Sequence, residues 1–112
     1  MSRCIFCDIL VDKAPANKIY HGTASLGIVP LNPCTPGHVI FISNRHVKDA
    51  SESPFTAASV MYDVAKFINN NPGDYNILTS IGSIATQTVF HLHVHLVPRR
   101  ENDGLKLPWT ED

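Results

Sequence analysis

Residues 91 to 98 read His91-Leu92-His93-Val94-His95-Leu96-Val97-Pro98, an imidazole at every second position with an aliphatic side chain between. Period two is the period of a β-strand, whose successive side chains point to opposite faces. As a strand, the segment puts Leu92, Val94 and Leu96 on a core face. His91, His93 and His95 then stand in a row on the other face, about 6–7 Å apart at each step. On a helix the same residues would scatter around the axis. A solvated face has no need of three imidazoles framed by aliphatics, so the row is read as chemistry.

The rest of the chain supplies a sheet for that strand. Residues 4–11 suit one or two helical turns, limited by Pro15. Strands are expected over 18–21, over 25–29 up to Pro30, over 38–43, over 74–79 and over 89–97, with Pro98 closing the last. The segment His38-Val39-Ile40-Phe41-Ile42-Ser43 is apolar and β-branched enough to be central and buried on both faces. Residues 32–37 are dense in turn formers and read as a loop. The long helix is Pro54–Asn70. Ser53 caps it, Pro54 suits its first position, and Asn71-Pro72-Gly73 stops it. Ala57, Val60, Met61, Val64 and Ile68 form its apolar face. The order β-β-β-α-β-β, with short connections, predicts an α+β fold: a five-stranded antiparallel sheet with one long helix and a short N-terminal helix. The 112 residues are expected to form a single domain.

Composition narrows the partners. Nine Lys+Arg against ten Asp+Glu give a formal charge of −1, so no strong nucleic-acid binding is expected. The longest clean apolar run is far too short for a bilayer, and Met1-Ser2-Arg3-Cys4 has no signal-peptide core. Three cysteines argue against a disulfide framework. These features predict a cytoplasmic protein without a membrane partner. Cys34 reads as a plain loop residue and His21 as a surface one.

A row of imidazoles fits two chemistries. In phosphoryl or nucleotidyl transfer one neutral imidazole attacks phosphorus while another donates to phosphate oxygens. In a metal site, two His at i and i+2 share a zinc with ligands from elsewhere. All three cannot converge on one ion, since the outer pair is about 13 Å apart. The loop Ser80-Ile81-Gly82-Ser83-Ile84-Ala85-Thr86-Gln87-Thr88 favours the first. It offers hydroxyls, an amide and main-chain N–H groups, and no carboxylate. The central His93 would be kept neutral by charge repulsion from a protonated neighbour. Its second ring nitrogen would donate to a backbone carbonyl.

His91–Val97 resembles the signature of the histidine-triad (HIT) family, His-φ-His-φ-His-φ-φ with φ hydrophobic. Gln87-Thr88-Val89-Phe90 resembles the lead-in to that signature. Asn32-Pro33-Cys34-Thr35-Pro36-Gly37-His38 and Arg45-His46-Val47 resemble a second family block. Cys4-Ile5-Phe6-Cys7 resembles the N-terminus of zinc-containing bacterial members. The resemblance spans residues 4 to 99. It implies a homodimer and hydrolysis or transfer at the α-phosphate of a nucleotide substrate, through a nucleotidyl intermediate on His93. It implies that His95 binds phosphate oxygens and that Gln87 and Thr88 hold the phosphate. It also implies that His38 tunes the triad, and that Ile5, Phe6, Ile9, Ile28 and Leu31 wall the base and ribose. Three positions depart from the pattern. Pro30 stands where many members have an acid, so the ribose contact falls to Asn32 or is lost. Ser80 stands where an Asn is usual, and Ala85-Thr86 where Gly-Gly is common.

Cys4-x-x-Cys7 is half of a tetrahedral site, and the resemblance implies that His46 and His91 complete it with a structural zinc. No cofactor is expected for catalysis itself. The leading reading is purine nucleoside phosphoramidate hydrolysis, and the alternative is dinucleoside polyphosphate hydrolysis. Two other classes stay open: a hydrolase with zinc in its active site, and a nucleotide-binding regulatory module with little turnover. Leu105, Leu107 and Trp109, apolar in a polar tail, are candidates for the dimer interface.

Overall fold

The structure is a computed structural model and describes residues 4–107. A short helix α1 (Ile5–Leu10) leads into β1 (Asn17–His21), β2 (Ser25–Val29) and β3 (Val39–Ser43). Helix α2 (Pro54–Asn70), β4 (Tyr75–Leu78), a single 3-10 turn (Ser83–Ala85) and β5 (His93–Pro98) follow. The strands form one sheet in the order β1-β2-β3-β5-β4, every neighbour antiparallel. This is the expected α+β architecture. No helix among the described residues is long and apolar enough to cross a membrane.

Strand β3 is buried along its whole length, as its composition requires, and its alternation divides the core in two. Val39 and Phe41 join Leu92, Val94, Leu96 and the α2 residues Val60 and Val64 on one face. Ile40 and Ile42 join Leu26, Ile28 and the α1 residues Phe6 and Ile9 on the other. Phe41 and Ile42 are fully buried, each stabilising the fold by about 1.5–3 kcal/mol. Tyr20, Phe41 and Phe67 meet edge to face, with ring centroids 5.3–5.9 Å apart.

Helix α2 starts as expected: Ser53 Oγ accepts from the Thr56 N–H at 3.2 Å, with Pro54 in the first turn. Its inner face differs at three positions: Thr56 is buried, hydrogen-bonded to Ser53, and two others matter more. Met61 is exposed, and Asp63 takes a buried place that an apolar pattern does not anticipate. The reason is polar. The Asp63 carboxylate accepts from Thr23 N, Thr23 Oγ1, Ala24 N and Ser25 Oγ at 2.7–3.1 Å, tying the β1–β2 turn to the helix.

The last strand is shorter than expected at its start. It begins at His93, because β3 ends at Ser43 and its ladder with β5 runs only from Val39↔Leu96 to Ile42↔His93. Residues 91 and 92 lie beyond that ladder. They are held by separate bonds, Leu92 N to Val47 O at 2.8 Å and Ser43 N to Leu92 O at 3.1 Å. Residues 89 and 90 are not strand either.

Candidate active site and metal cluster

His93 and His95 project from β5 onto the α1 face, opposite Ile42 and Ile40. Phe6 of α1 sits edge-on to His93 at 5.0 Å and to His91 at 5.8 Å. The three imidazoles therefore share a face although only two belong to the strand. Each is distinguished by the partners of its two nitrogens.

His93 Nδ1 lies 2.8 Å from the main-chain oxygen of His91. A carbonyl oxygen only accepts, so Nδ1 carries the proton and Nε2 the lone pair. His38 Nδ1 accepts from the Cys34 N–H at 3.1 Å. Neutral His38 therefore holds its proton on Nε2 and donates it to His95 Nδ1 at 3.0 Å. His95 is left with its own proton on Nε2. A lone pair on His93 stands beside an N–H on His95, the pairing that attack on phosphorus with a donor to its oxygens requires.

The site favours neutral imidazoles. Burial lowers the pKa of His93, against the hydrogen bond to the His91 carbonyl, which raises it. Burial, more than the charge of a neighbour, is thus what keeps this ring neutral, a correction to the repulsion expected from sequence. Burial, then His93 and His38, bring His95 down to about 4, and burial lowers His38. An arriving phosphate meets no fixed negative charge on these groups. Its own charge raises the proton affinity of the His38–His95 pair.

His91 faces away from this chemistry. It is fully buried, and its Nε2 donates to the Ser43 carbonyl at 2.7 Å. Its Nδ1 lone pair points at Cys4 Sγ (3.3 Å), Cys7 Sγ (3.5 Å) and His46 Nδ1 (3.0 Å). All four ligand atoms lie within 4.8 Å of one another. A tetrahedral zinc with bonds of about 2.0–2.3 Å spans ligands roughly 3.3–3.8 Å apart, so the donor types suit that ion and their positions need shifts of no more than about 1 Å to meet it. Burial and the neighbouring Cys4 raise the Cys7 pKa, which favours the thiol over the thiolate until a cation reverses it. Cys4 Sγ also caps α1, accepting from Cys7 N at 3.4 Å. Cys4, Cys7, His46 and His91 would hold the metal with no position left for water or substrate.

Other expected site residues are placed less simply. Gln87 is buried, and its amide is committed to main chain: Oε1 accepts from Gly82 N (2.9 Å), and Nε2 donates to Lys48 O (2.8 Å) and Val89 O (3.1 Å). It shapes the loop here and offers no free group to phosphate. The N–H groups of Ala85, Thr86 and Gln87 also close on the loop's own carbonyls. Thr88 is exposed and lines a cavity of about 690 Å³ with Cys4, Ile5, His46, Lys48 and Phe90, on the side of the metal cluster. Ile9 and Ile28 are buried in the α1-side core and back the site, while Leu31 and Asn32 are exposed and Ser80 is half-buried. Sequence reasoning missed the Ser43 carbonyl and the Cys34 N–H. Both are main-chain groups that no residue type announces.

Thr86 adopts φ +72°, the left-handed region, where a β-branched residue is strained. Relief of about 1–2 kcal/mol outweighs the added freedom of glycine in the unfolded chain, about 0.5–1 kcal/mol. Thr86→Gly should therefore raise stability modestly in urea unfolding. A lower unfolding midpoint at unchanged slope would refute the strain.

Comparison with known proteins adds an independent view. A family model described as "HIT domain" matches residues 11–102. The chain is 32% identical to adenylylsulfatase HINT3 of Arabidopsis thaliana over 108 residues, covering 91% of this chain and 55% of that protein, about half its length. It is 30% identical to adenosine 5'-monophosphoramidase hnt1 of Schizosaccharomyces pombe over 109 residues, covering 95% and 82% of the two. Among solved structures, a zinc-bound histidine triad family protein of Mycobacterium smegmatis superposes with a TM-score of 0.80 at 38% identity. That match covers 97% of this chain and 84% of the other.

Proposed function

This chain belongs to the HIT domain family, and from that premise we propose that it hydrolyses or transfers at the α-phosphate of a nucleotide, by way of a covalent nucleotidyl-His93 intermediate. The observation that carries the reading is the pair of bonds that orient the two rings. His93 donates through Nδ1 to the His91 carbonyl, leaving Nε2 to attack. His95, paired through Nδ1 with His38, presents Nε2–H to the phosphate oxygens. In the first step the Nε2 lone pair forms a bond to phosphorus and the bond to the leaving group breaks. An amine leaving group takes the proton that the phosphate's charge has drawn to the His38–His95 pair. In the second step water displaces His93 Nε2 and returns a proton to the pair. Phe6 supplies an apolar edge against His93, which limits water around the attacking nitrogen.

The leaving group is an amine in our first reading, a purine nucleoside phosphoramidate. Support comes from the monophosphoramidase name of the yeast relative. Dinucleoside polyphosphates are the second reading. Rapid quenching with an adenosine phosphoramidate, followed by mass analysis, should find one adenylyl group on the His93 peptide. Turnover without any such adduct under single-turnover conditions would overturn the covalent reading. It would favour the zinc hydrolase if chelation stopped turnover at once.

We further propose a homodimer through β4 and α2. Strand β4 is an edge of the sheet, and Ile77 and Leu78 on it are exposed, as are Phe55, Met61 and Tyr62 on α2. A bare edge with an apolar flank invites pairing. Leu105 is half-buried on its own chain, its carbonyl accepting from Arg99, which removes it as a principal contact. Trp109 lies outside the described residues. Light scattering at micromolar concentration should give twice the chain mass, and a monomer mass would reject the dimer. Cytoplasmic residence remains our reading, supported by three free cysteines.

A further inference from the structure

We propose that the Cys4–Cys7–His46–His91 cluster positions the nucleophile, so that its metal occupancy sets the reactivity of His93 and not only the stability of the fold. The inference rests on the reading of His93 as nucleophile. It starts from residue 91, which belongs to both sites. Its Nδ1 faces two sulfurs and the His46 ring within 3.5 Å. Its Nε2 is bonded to Ser43 O. Its main-chain oxygen receives the His93 Nδ1–H at 2.8 Å. That last bond decides which nitrogen of His93 is free to attack, since a neutral imidazole holds one proton and follows its acceptor.

Residue 91 is not locked by the sheet. It precedes β5 and lies beyond the ladder with β3, which ends at the pair Ile42 and His93. Its peptide to Leu92 is held by the bond from Leu92 N to Val47 O at 2.8 Å, while its ring is placed by the Ser43 bond and the cluster. A second connection runs through α1. That helix has six residues, far too few to stand alone. It is fastened by its Cys4 cap, by the cysteines facing His46 and His91, and by Phe6 and Ile9 in the core. Phe6 rests edge-on against both His91 and His93. Losing the ion would remove what draws Cys4, Cys7, His46 and His91 to one point and leave only thiol contacts to the two rings at 3.2–3.3 Å. The cysteines and α1 can then shift, and the Phe6 edge with them, which moves the His93 ring it rests on.

The test uses the full chain carrying zinc, the same chain stripped by chelator, and the stripped chain with zinc restored. All are held well below the melting temperature, with the folded fraction measured by circular dichroism. Nitrogen-15 spectra of the histidine rings at fixed pH should show His93 as the Nδ1–H tautomer in the loaded protein and as a tautomer mixture in the stripped one. Nucleotidyl transfer to His93 per folded molecule should fall about tenfold or more, a change of about 1.4 kcal/mol or more in barrier. Nucleoside monophosphate affinity should change little, and zinc should restore both readouts. A purely structural metal would lower the melting temperature and leave the His93 spectrum and the rate per folded molecule unchanged, which overturns the proposal. Cys7→Ser, which keeps the Cys4 cap and removes one ligand, gives a milder second case with the same expected signs. Unfolding of both preparations at every temperature would also overturn it, since the metal would then be a requirement of folding. If the loaded protein formed no adduct, the covalent reading would fail, while the tautomer spectra would still decide whether cluster and ring are coupled.

Discussion

His93→Ala should cut turnover of an adenosine phosphoramidate by about 10³-fold or more, about 4 kcal/mol in barrier, while nucleoside monophosphate binding stays measurable. The size follows from the lack of a substitute. His91 has both nitrogens engaged, one by the Ser43 carbonyl and one by the cysteine cluster. His95 gives Nδ1 to His38 and carries its proton on Nε2. Of the row, His93 alone keeps a lone pair, on Nε2, that no hydrogen bond among the described residues takes up. Removing it deletes the covalent path rather than weakening a contact. Binding survives because His95 still offers its N–H to the phosphate. Retention of more than about a tenth of wild-type activity, a loss of only about 1.4 kcal/mol, would show that the nucleophile is another group.

The alternation at residues 91 to 97 was enough to place His91, His93 and His95 on one face, because period two, imidazole against aliphatic, has one structural solution. It also put Leu92, Val94 and Leu96 on a core face, which the structure places on the α2 side; the second core of Phe6, Ile40 and Ile42 behind the histidines was not anticipated. Pattern alone could not show that residue 91 leaves the ladder, since β3 stops at Ser43 and that limit belongs to the partner strand. The roles within the row were also only partly legible. They depend on the main-chain oxygens of Ser43 and His91 and the N–H of Cys34, which every residue possesses and no composition reveals. Gln87 reads in sequence as a phosphate ligand because an amide suits that task equally. In the fold three main-chain groups take its hydrogen-bonding capacity.

Asp63 is the position where an apolar-face reading of α2 fails, and its replacement should have the largest effect on stability. Asp63→Ala removes four charge-assisted acceptances and leaves the Thr23, Ala24 and Ser25 donors facing a void in a place only 1% exposed. Bonds to a charged group are worth about 1.5–3 kcal/mol each and are not additive, so a loss of about 3–5 kcal/mol is expected. Gly22 belongs to the same device: a Cβ there would lie 2.4 Å from Asp63 Oδ2, so Gly22→Ala should destabilise as well, by pushing the carboxylate off its donors. The pH dependence carries a sign that identifies the cause. Burial raises the Asp63 pKa, but the four donors outweigh it and hold the group below its ordinary 3.8. A depressed folded pKa adds stability that is complete above the unfolded value and fades as pH falls through the folded one. Wild type should therefore lose stability on acidification below about pH 4, and Asp63→Asn should be less stable at pH 7 while losing less over that range. Urea unfolding of both proteins between pH 7 and pH 2.5 measures this. Parallel stability curves across that range would mean that folding leaves the Asp63 pKa unshifted, and that the β1–β2 turn is anchored by something other than its charge.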